Sequence, residues 1–182
     1  MMKRNPSRRQ VVKALVVGGS SVAGFLSGIR NTRPAEASAL LSSRQRNLLQ
    51  LVGERFVPGA TRCGHVSFVT KMLAVPSEHC LLAIKYFDVS PPYVDSYRAV
   101  LDSIDRESVR RHGSQFSEAP DAVQDAILGQ MLSNDVRNWK GPPAPLAYHF
   151  LRLDAVDVVY GTKPGFAALG IPYMAHIEPP SL

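Results

Sequence analysis

The chain is poor in the groups that carry most recognisable chemistry. It has two cysteines in 182 residues, one tryptophan and five histidines. No Cys-x-x-Cys-His is present, so no c-type haem is attached, and no set of four cysteines suggests an iron–sulfur cluster. No Gly-x-Gly-x-x-Gly follows a strand, no phosphate-binding loop occurs, and His-Glu-x-x-His is missing. Runs of alternating polar and apolar residues are absent, as are Asn-Gly hairpin signals, internal repeats and low-complexity tracts. An all-β fold and a nucleotide-binding α/β fold are therefore disfavoured.

Acidic residues are scarce at one end. Residues 1–39 hold seven of the 21 basic residues and one of the 15 acidic ones, which leaves 14 of each sign in the remainder. The formal charge of +6 thus belongs almost wholly to the N-terminal stretch. The rest is neutral, with no excess of basic charge to meet nucleic-acid phosphates.

That stretch has the order of an export signal: a basic start, an apolar middle and a small-residue cut site. The uncharged segment from Ala14 to Ile29 is 16 residues long and contains Gly18, Gly19, Gly24 and Gly28. A spanning helix needs roughly 20 mostly apolar residues, so this one is marginal as a permanent anchor. Ala35, Ala37 and Ala39 offer small-x-small cuts after Ala37 or Ala39. Ser7-Arg8-Arg9-Gln10-Val11-Val12-Lys13 resembles the twin-arginine consensus Ser-Arg-Arg-x-Phe-Leu-Lys, with Val11 and Val12 in the two apolar places. The resemblance implies export of a folded protein by the twin-arginine translocase to the periplasm, at the outer face of the inner membrane. The expected division is a signal and linker over 1–39 and one helical domain over 40–182.

The domain reads as all-α: five or six modest helices in an irregular bundle, with an extended Gly/Pro-rich tail from about 161. Ser42-Ser43 caps a helix through Phe56, with Leu48, Leu49, Val52 and Phe56 at helical spacing. A second helix is expected over 65–74 and a third from Pro76-Ser77-Glu78 to Tyr86-Phe87. Pro91-Pro92 opens a longer one that Gly113 ends, and Pro120 opens another carrying Val123, Ile127, Leu128 and Met131. The last runs from about Leu146 to Tyr160. The tail keeps Phe166, Leu169, Ile171, Tyr173, Met174 and Ile177, so it is expected to pack on its own helices or on another chain.

Candidate chemistry is sparse. In an oxidising compartment Cys63 and Cys80 are candidates for a disulfide, and the sequence leaves open whether they meet. Cys63, His65, His79 and Cys80 offer metal-ligand atoms, but their spacing fits no common zinc pattern. Asp154 and Asp157 lie one helical turn apart and read as solvated or salt-bridged carboxylates. Arg110, Arg111 and His112 form a basic helix end that suits the helix dipole. No catalytic, cofactor-binding or metal-binding residue is assigned. An auxiliary subunit fits this pattern better than an enzyme.

Residues 147–173, AYHFLRLDAVDVVYGTKPGFAALGIPY, resemble the C-terminal region of the gluconate 2-dehydrogenase subunit 3 family. The likeness rests on Tyr148, His149, Phe150 and Leu151, on Tyr160-Gly161, and on the close at Gly165, Leu169, Gly170 and Pro172. Glu54-Arg55-Phe56-Val57-Pro58-Gly59-Ala60 resembles the family's Glu-x-hydrophobic-Pro-Gly element. Tyr97-Arg98 with Leu101-Asp102, and the stretch from Gln124 to Leu128, resemble its central helices. The resemblance implies a non-catalytic small subunit with no cofactor of its own. Its partner would be a large flavoprotein that holds FAD and oxidises a sugar or alcohol, often with a cytochrome c subunit as electron acceptor. The small subunit would help the large one fold and carry it through the translocase. Tyr148, His149, Arg152, Tyr160, Phe166, Leu169, Ile171 and Tyr173 are the expected partner interface. The alternatives are a stand-alone exported helical binding or scaffold protein and a small metal-dependent enzyme.

Overall fold

The computed structural model describes residues 40–172. The export-signal residues Ser7, Arg8, Arg9, Val11, Val12 and Lys13, the cut-site residues Ala35, Ala37 and Ala39, and Tyr173 lie outside the described residues. Six α-helices follow in order: α1 (Ser43–Phe56), α2 (His65–Leu73), α3 (Tyr93–His112), α4 (Asp121–Leu132), α5 (Ala144–Tyr160) and α6 (Lys163–Ala168). Three short 3-10 turns lie between them, at Ser77–His79, Ala83–Tyr86 and Phe116–Glu118. The described residues contain no strand, and the fold is an all-α bundle. None of the described helices is long and apolar enough to cross a membrane.

Local chemistry sets the helix ends. Ser42 Oγ accepts the Gln45 amide proton at 3.1 Å while Gln45 Oε1 accepts that of Ser42 at 3.0 Å, a reciprocal cap on α1. Beyond α1, the Glu54 carboxylate accepts the amide protons of Gly59 (2.7 Å) and Thr61 (3.0 Å). These two bonds hold the Pro58-Gly59 turn, where Gly59 has φ +93°. They also hold the Glu54 carboxyl below its ordinary range. The spacing from Glu54 to Gly59 thus makes a loop clamp.

Helix α5 is the centre of the bundle and packs on α1, α2, α4, α6 and the Ala83–Tyr86 turn. It buries Ala147, Phe150, Leu151, Asp154, Ala155 and Val158. The main core gathers Ala147, Phe150 and Leu151 around Leu49, Val52, Tyr97, Leu101, Ile104 and Ile127. Tyr97 and Phe150 meet with ring centroids 5.2 Å apart. A smaller cluster of Val57, Ala60, Ala155 and Val159 ties the α1–α2 turn to the last turns of α5.

Three segments differ from the expectations. The third helix is replaced by two separate 3-10 turns, because Cys80 and Leu82 are extended and the Ala83 N–H bonds to Asp154 instead of a preceding carbonyl. Helix α5 begins at Ala144, and Pro145 sits in its first turn, where a missing N–H breaks no intrahelical bond. The start of the tail is helical, since Thr162 Oγ1 accepts the Gly165 amide proton at 3.3 Å and caps α6.

Candidate partner-docking face

One turn of an α-helix advances 100° per residue, so residues 149, 153, 156 and 160 form a single stripe. On α5 that stripe is His149, Leu153, Val156 and Tyr160, and it lies on the side away from the buried face. Leu153 is 42% exposed and Tyr160 40% exposed, with Val156 half-buried. A helix that packs on one core should be polar on its outer side. Here the outer side carries exposed Leu153 and Tyr160, while Val156 between them packs against the small cluster, and exposed Arg152 and Asp157 flank the stripe on its two edges.

Helix α6 packs back on α5. Its approach depends on Gly165, whose added Cβ would run into the Val159 carbonyl oxygen and come within 3.0 Å of the Tyr160 Cα. The Ile171 amide then donates to the Phe166 carbonyl at 3.0 Å, with Gly170 at φ +66° closing the helix. Beyond this turn Leu169 and Ile171 are about half exposed, at 51% and 50%.

The sequence-derived interface residues therefore divide. His149, Arg152, Tyr160, Leu169 and Ile171 are exposed, and Phe166 is half-buried. Tyr148 turns inward, its ring edge-on to Phe56 with centroids 4.8 Å apart. Leu153 and Val156 complete the stripe and were not among the residues singled out by sequence. Their signal was available, because α5 has apolar residues on both sides when it is laid out at 100° per residue.

The candidates for chemistry do not converge. Among the described residues no group of three or more His, Cys, Asp or Glu side chains is placed to hold a metal ion. Cys63 and Cys80 are free thiols, the first half-buried beside the small cluster and the second buried in the main core. His79 is exposed, whereas His65 is buried against Gly53 with neither ring nitrogen hydrogen-bonded. Burial pushes the His65 imidazole down to about 4. A groove of about 340 Å³ lies between Met72, Leu73, Pro76, Pro91, Pro92 and Tyr93. Its polar side chains are the hydroxyls of Ser77 and Tyr93.

The carboxylate pair is not a solvated pair. Asp157 is exposed, but Asp154 is fully buried and forms no salt bridge among the described residues. Its Oδ1 accepts the Ala83 amide proton at 2.8 Å and its Oδ2 accepts the Tyr97 hydroxyl. Removal from water raises the carboxyl to about 7, against the lowering effect of those two bonds. Asp154 thereby ties α5, α3 and the Ala83–Tyr86 turn together. The basic helix end is likewise structural: Arg110 and Arg111 fold back onto buried Glu107, at 2.5 and 2.6 Å, and hold its carboxyl down to about 2.

The model of the gluconate 2-dehydrogenase subunit 3 family matches residues 43–175, a span that takes in all six helices. The chain belongs to the gluconate 2-dehydrogenase subunit 3 family. No curated protein and no solved structure matches it. The family is named for a subunit of a dehydrogenase complex, and exposed Leu153 and Tyr160 on α5 are apolar surface of the kind found in subunit contacts. Within the subunit 3 pattern, the structure separates two kinds of residue. Glu54, Gly59, Gly165 and Gly170 serve the chain's own turns, while Leu169, Tyr160 and His149 point away from it.

Proposed function

We propose that this chain is the non-catalytic small subunit of a periplasmic, flavin-dependent sugar or alcohol dehydrogenase complex. Its large partner is the flavoprotein that holds FAD and oxidises the substrate, and a cytochrome c subunit takes the electrons onward. The observation that carries the reading is the exposed apolar pair Leu153 and Tyr160 on α5, on a protein whose family is that of a dehydrogenase subunit. Leu169 and Ile171, also exposed, come from the same C-terminal third of the sequence, and apolar surface of this kind suits a contact with another chain. In this reading the small subunit steadies the folded flavoprotein and brings it through the twin-arginine translocase on its own signal.

Export is tested by replacing both Arg8 and Arg9 with lysine in the native host. Dehydrogenase activity and the flavoprotein antigen are expected to move together from the periplasmic to the cytoplasmic fraction. A flavoprotein that reaches the periplasm at its normal level in that strain would show that it travels without this signal.

A further inference from the structure

The Ala83–Tyr86 turn and its flanks are tied to the bundle through one polar contact. Among the described residues, the hydrogen bonds of residues 80–87 close on residues 77–89, with one exception. That exception is the Ala83 amide, which donates to Asp154 Oδ1 at 2.8 Å. The rest of the attachment is apolar, since Cys80, Leu82, Ala83 and Ile84 are buried. Leu81 and Tyr86 of the same segment face solvent.

The other end of the contact is a fully buried carboxyl that no cation offsets. The Tyr97 hydroxyl from α3 donates to it, and Asp157 on its own helix repels its charge. From the segment, Cys80 lies near enough to feel that charge, whereas Lys85 sends its Nζ to the Glu78 carbonyl at 2.8 Å. His65 of α2 is shifted by burial alone, and no charged group of α1, α4 or α6 acts on Asp154. An ionised carboxylate in this place needs water. Helices α3 and α5, 20 and 17 residues long, are fixed by their core faces. The turn has four residues in the weaker 3-10 geometry, so it is the side that yields.

We propose that residues 80–87 form a flap latched by the proton on Asp154. Loss of that proton raises the share of chains in which the flap swings out, admits water to the carboxylate and uncovers the Cys80 thiol. The open form stays a minority at every pH, because Leu82 and Ile84 lose their burial in it. Burial holds the carboxyl at about 7 with the flap shut, against 3.8 in water. The open share therefore rises between about pH 4 and pH 7 and is level above pH 7. The device does not depend on the subunit reading.

The test is thiol accessibility in the purified full-length chain. The chain is treated with 4,4′-dithiodipyridine, which modifies thiols at acid and neutral pH, and the adducts on Cys63 and Cys80 are separated by mass spectrometry. Each rate is divided by that of the urea-unfolded chain at the same pH, which removes the thiol's own titration. Reagent is kept in the range where rate is proportional to its concentration, so that the ratio reads the open share. For Cys80 this ratio is expected to rise about tenfold per pH unit from 4 to 7 and then stay level. Cys63, in the small cluster and off the flap, is not expected to follow that rise. Asp154→Asn is expected to abolish the rise at Cys80. Below the unfolding transition the Cys80 rate should barely change with urea, because a short segment exposes little surface. A flat Cys80 ratio in the parent, or an undiminished slope in Asp154→Asn, would overturn the latch. A Cys80 rate that climbs with urea as steeply as global unfolding would overturn the flap, since the thiol would then be reached through unfolding of the whole domain.

Discussion

Asp154→Asn should make the protein more stable at pH 8 by about 4 kcal/mol and leave it unchanged at pH 4. The carboxyl titrates near 7 in the fold and near 3.8 as a free side chain. Below pH 4 it carries its proton in both states and costs nothing. Between pH 4 and 7 the unfolded chain ionises while the folded chain keeps the proton, so stability falls as pH rises. Above pH 7 the full cost, about 4 kcal/mol, is in place. Asparagine has no such charge to bury. Its carbonyl can accept the Ala83 amide proton and its NH2 can donate to the Tyr97 oxygen, which keeps the link between α5, α3 and the Ala83–Tyr86 turn.

His65 has the opposite sign. Its imidazole is held neutral by burial, down to about 4 from 6.5. As pH falls through 6.5 the unfolded chain takes up a proton that the folded chain refuses, so stability is lost between pH 6.5 and 4, by about 3 kcal/mol. Asp154 and His65 therefore offset each other over one pH window, and the parent protein should be nearly flat there. Urea unfolding from pH 4 to 8 reads this directly. Stability of Asp154→Asn is expected to climb with pH up to 6.5, and that of His65→Leu to fall with pH up to 7. Curves that stay parallel to the parent in both variants would contradict the burial account of these two groups.

Gly165→Ala should detach α6 and with it the partner. An added methyl at this position meets the carbonyl oxygen of Val159, and a backbone group in the last turn of α5 cannot rotate away as a side chain would. The expected result is a loss of about 2 kcal/mol, a near-normal helical circular dichroism, and failure to retain the flavoprotein, because the exposed Leu169 and Ile171 are displaced with α6. Gly129→Ala on α4 is the matched control: nothing lies within 4 Å of its added Cβ, and alanine there is expected to stabilise by about 0.5–1 kcal/mol. Retention of the partner by Gly165→Ala at the parent level would place the docking surface elsewhere.

Where a local signal decides the structure, the sequence was readable. The Ser42 cap, the Pro58-Gly59 stop, the Pro91-Pro92 opening and the Gly113 end are made by residues within a turn of the position they control, and each helix boundary follows them. Where a distant residue decides, it was not. Pro76-Ser77-Glu78 has the look of a helix start, but Asp154, 71 residues further on, takes the Ala83 amide proton and breaks the segment into two turns. The same contact hides the character of Asp154, since its spacing from Asp157 says nothing about Tyr97 approaching from α3. The docking face was half legible. Tyr160, Leu169 and Ile171 stood out as apolar residues near a Gly/Pro-rich end, whereas Leu153 was not singled out, since its exposure depends on which side of α5 is buried.

The central claim is that this chain works as one part of a flavoprotein complex. The most direct measurement is an affinity purification of the tagged full-length chain from its native host, with an absorption spectrum of the eluate. A large co-purifying chain together with the flavin bands near 370 and 450 nm (approximate positions for any bound flavin, whose chemistry resides in the cofactor) is the predicted result. A colourless eluate containing this chain alone would contradict it.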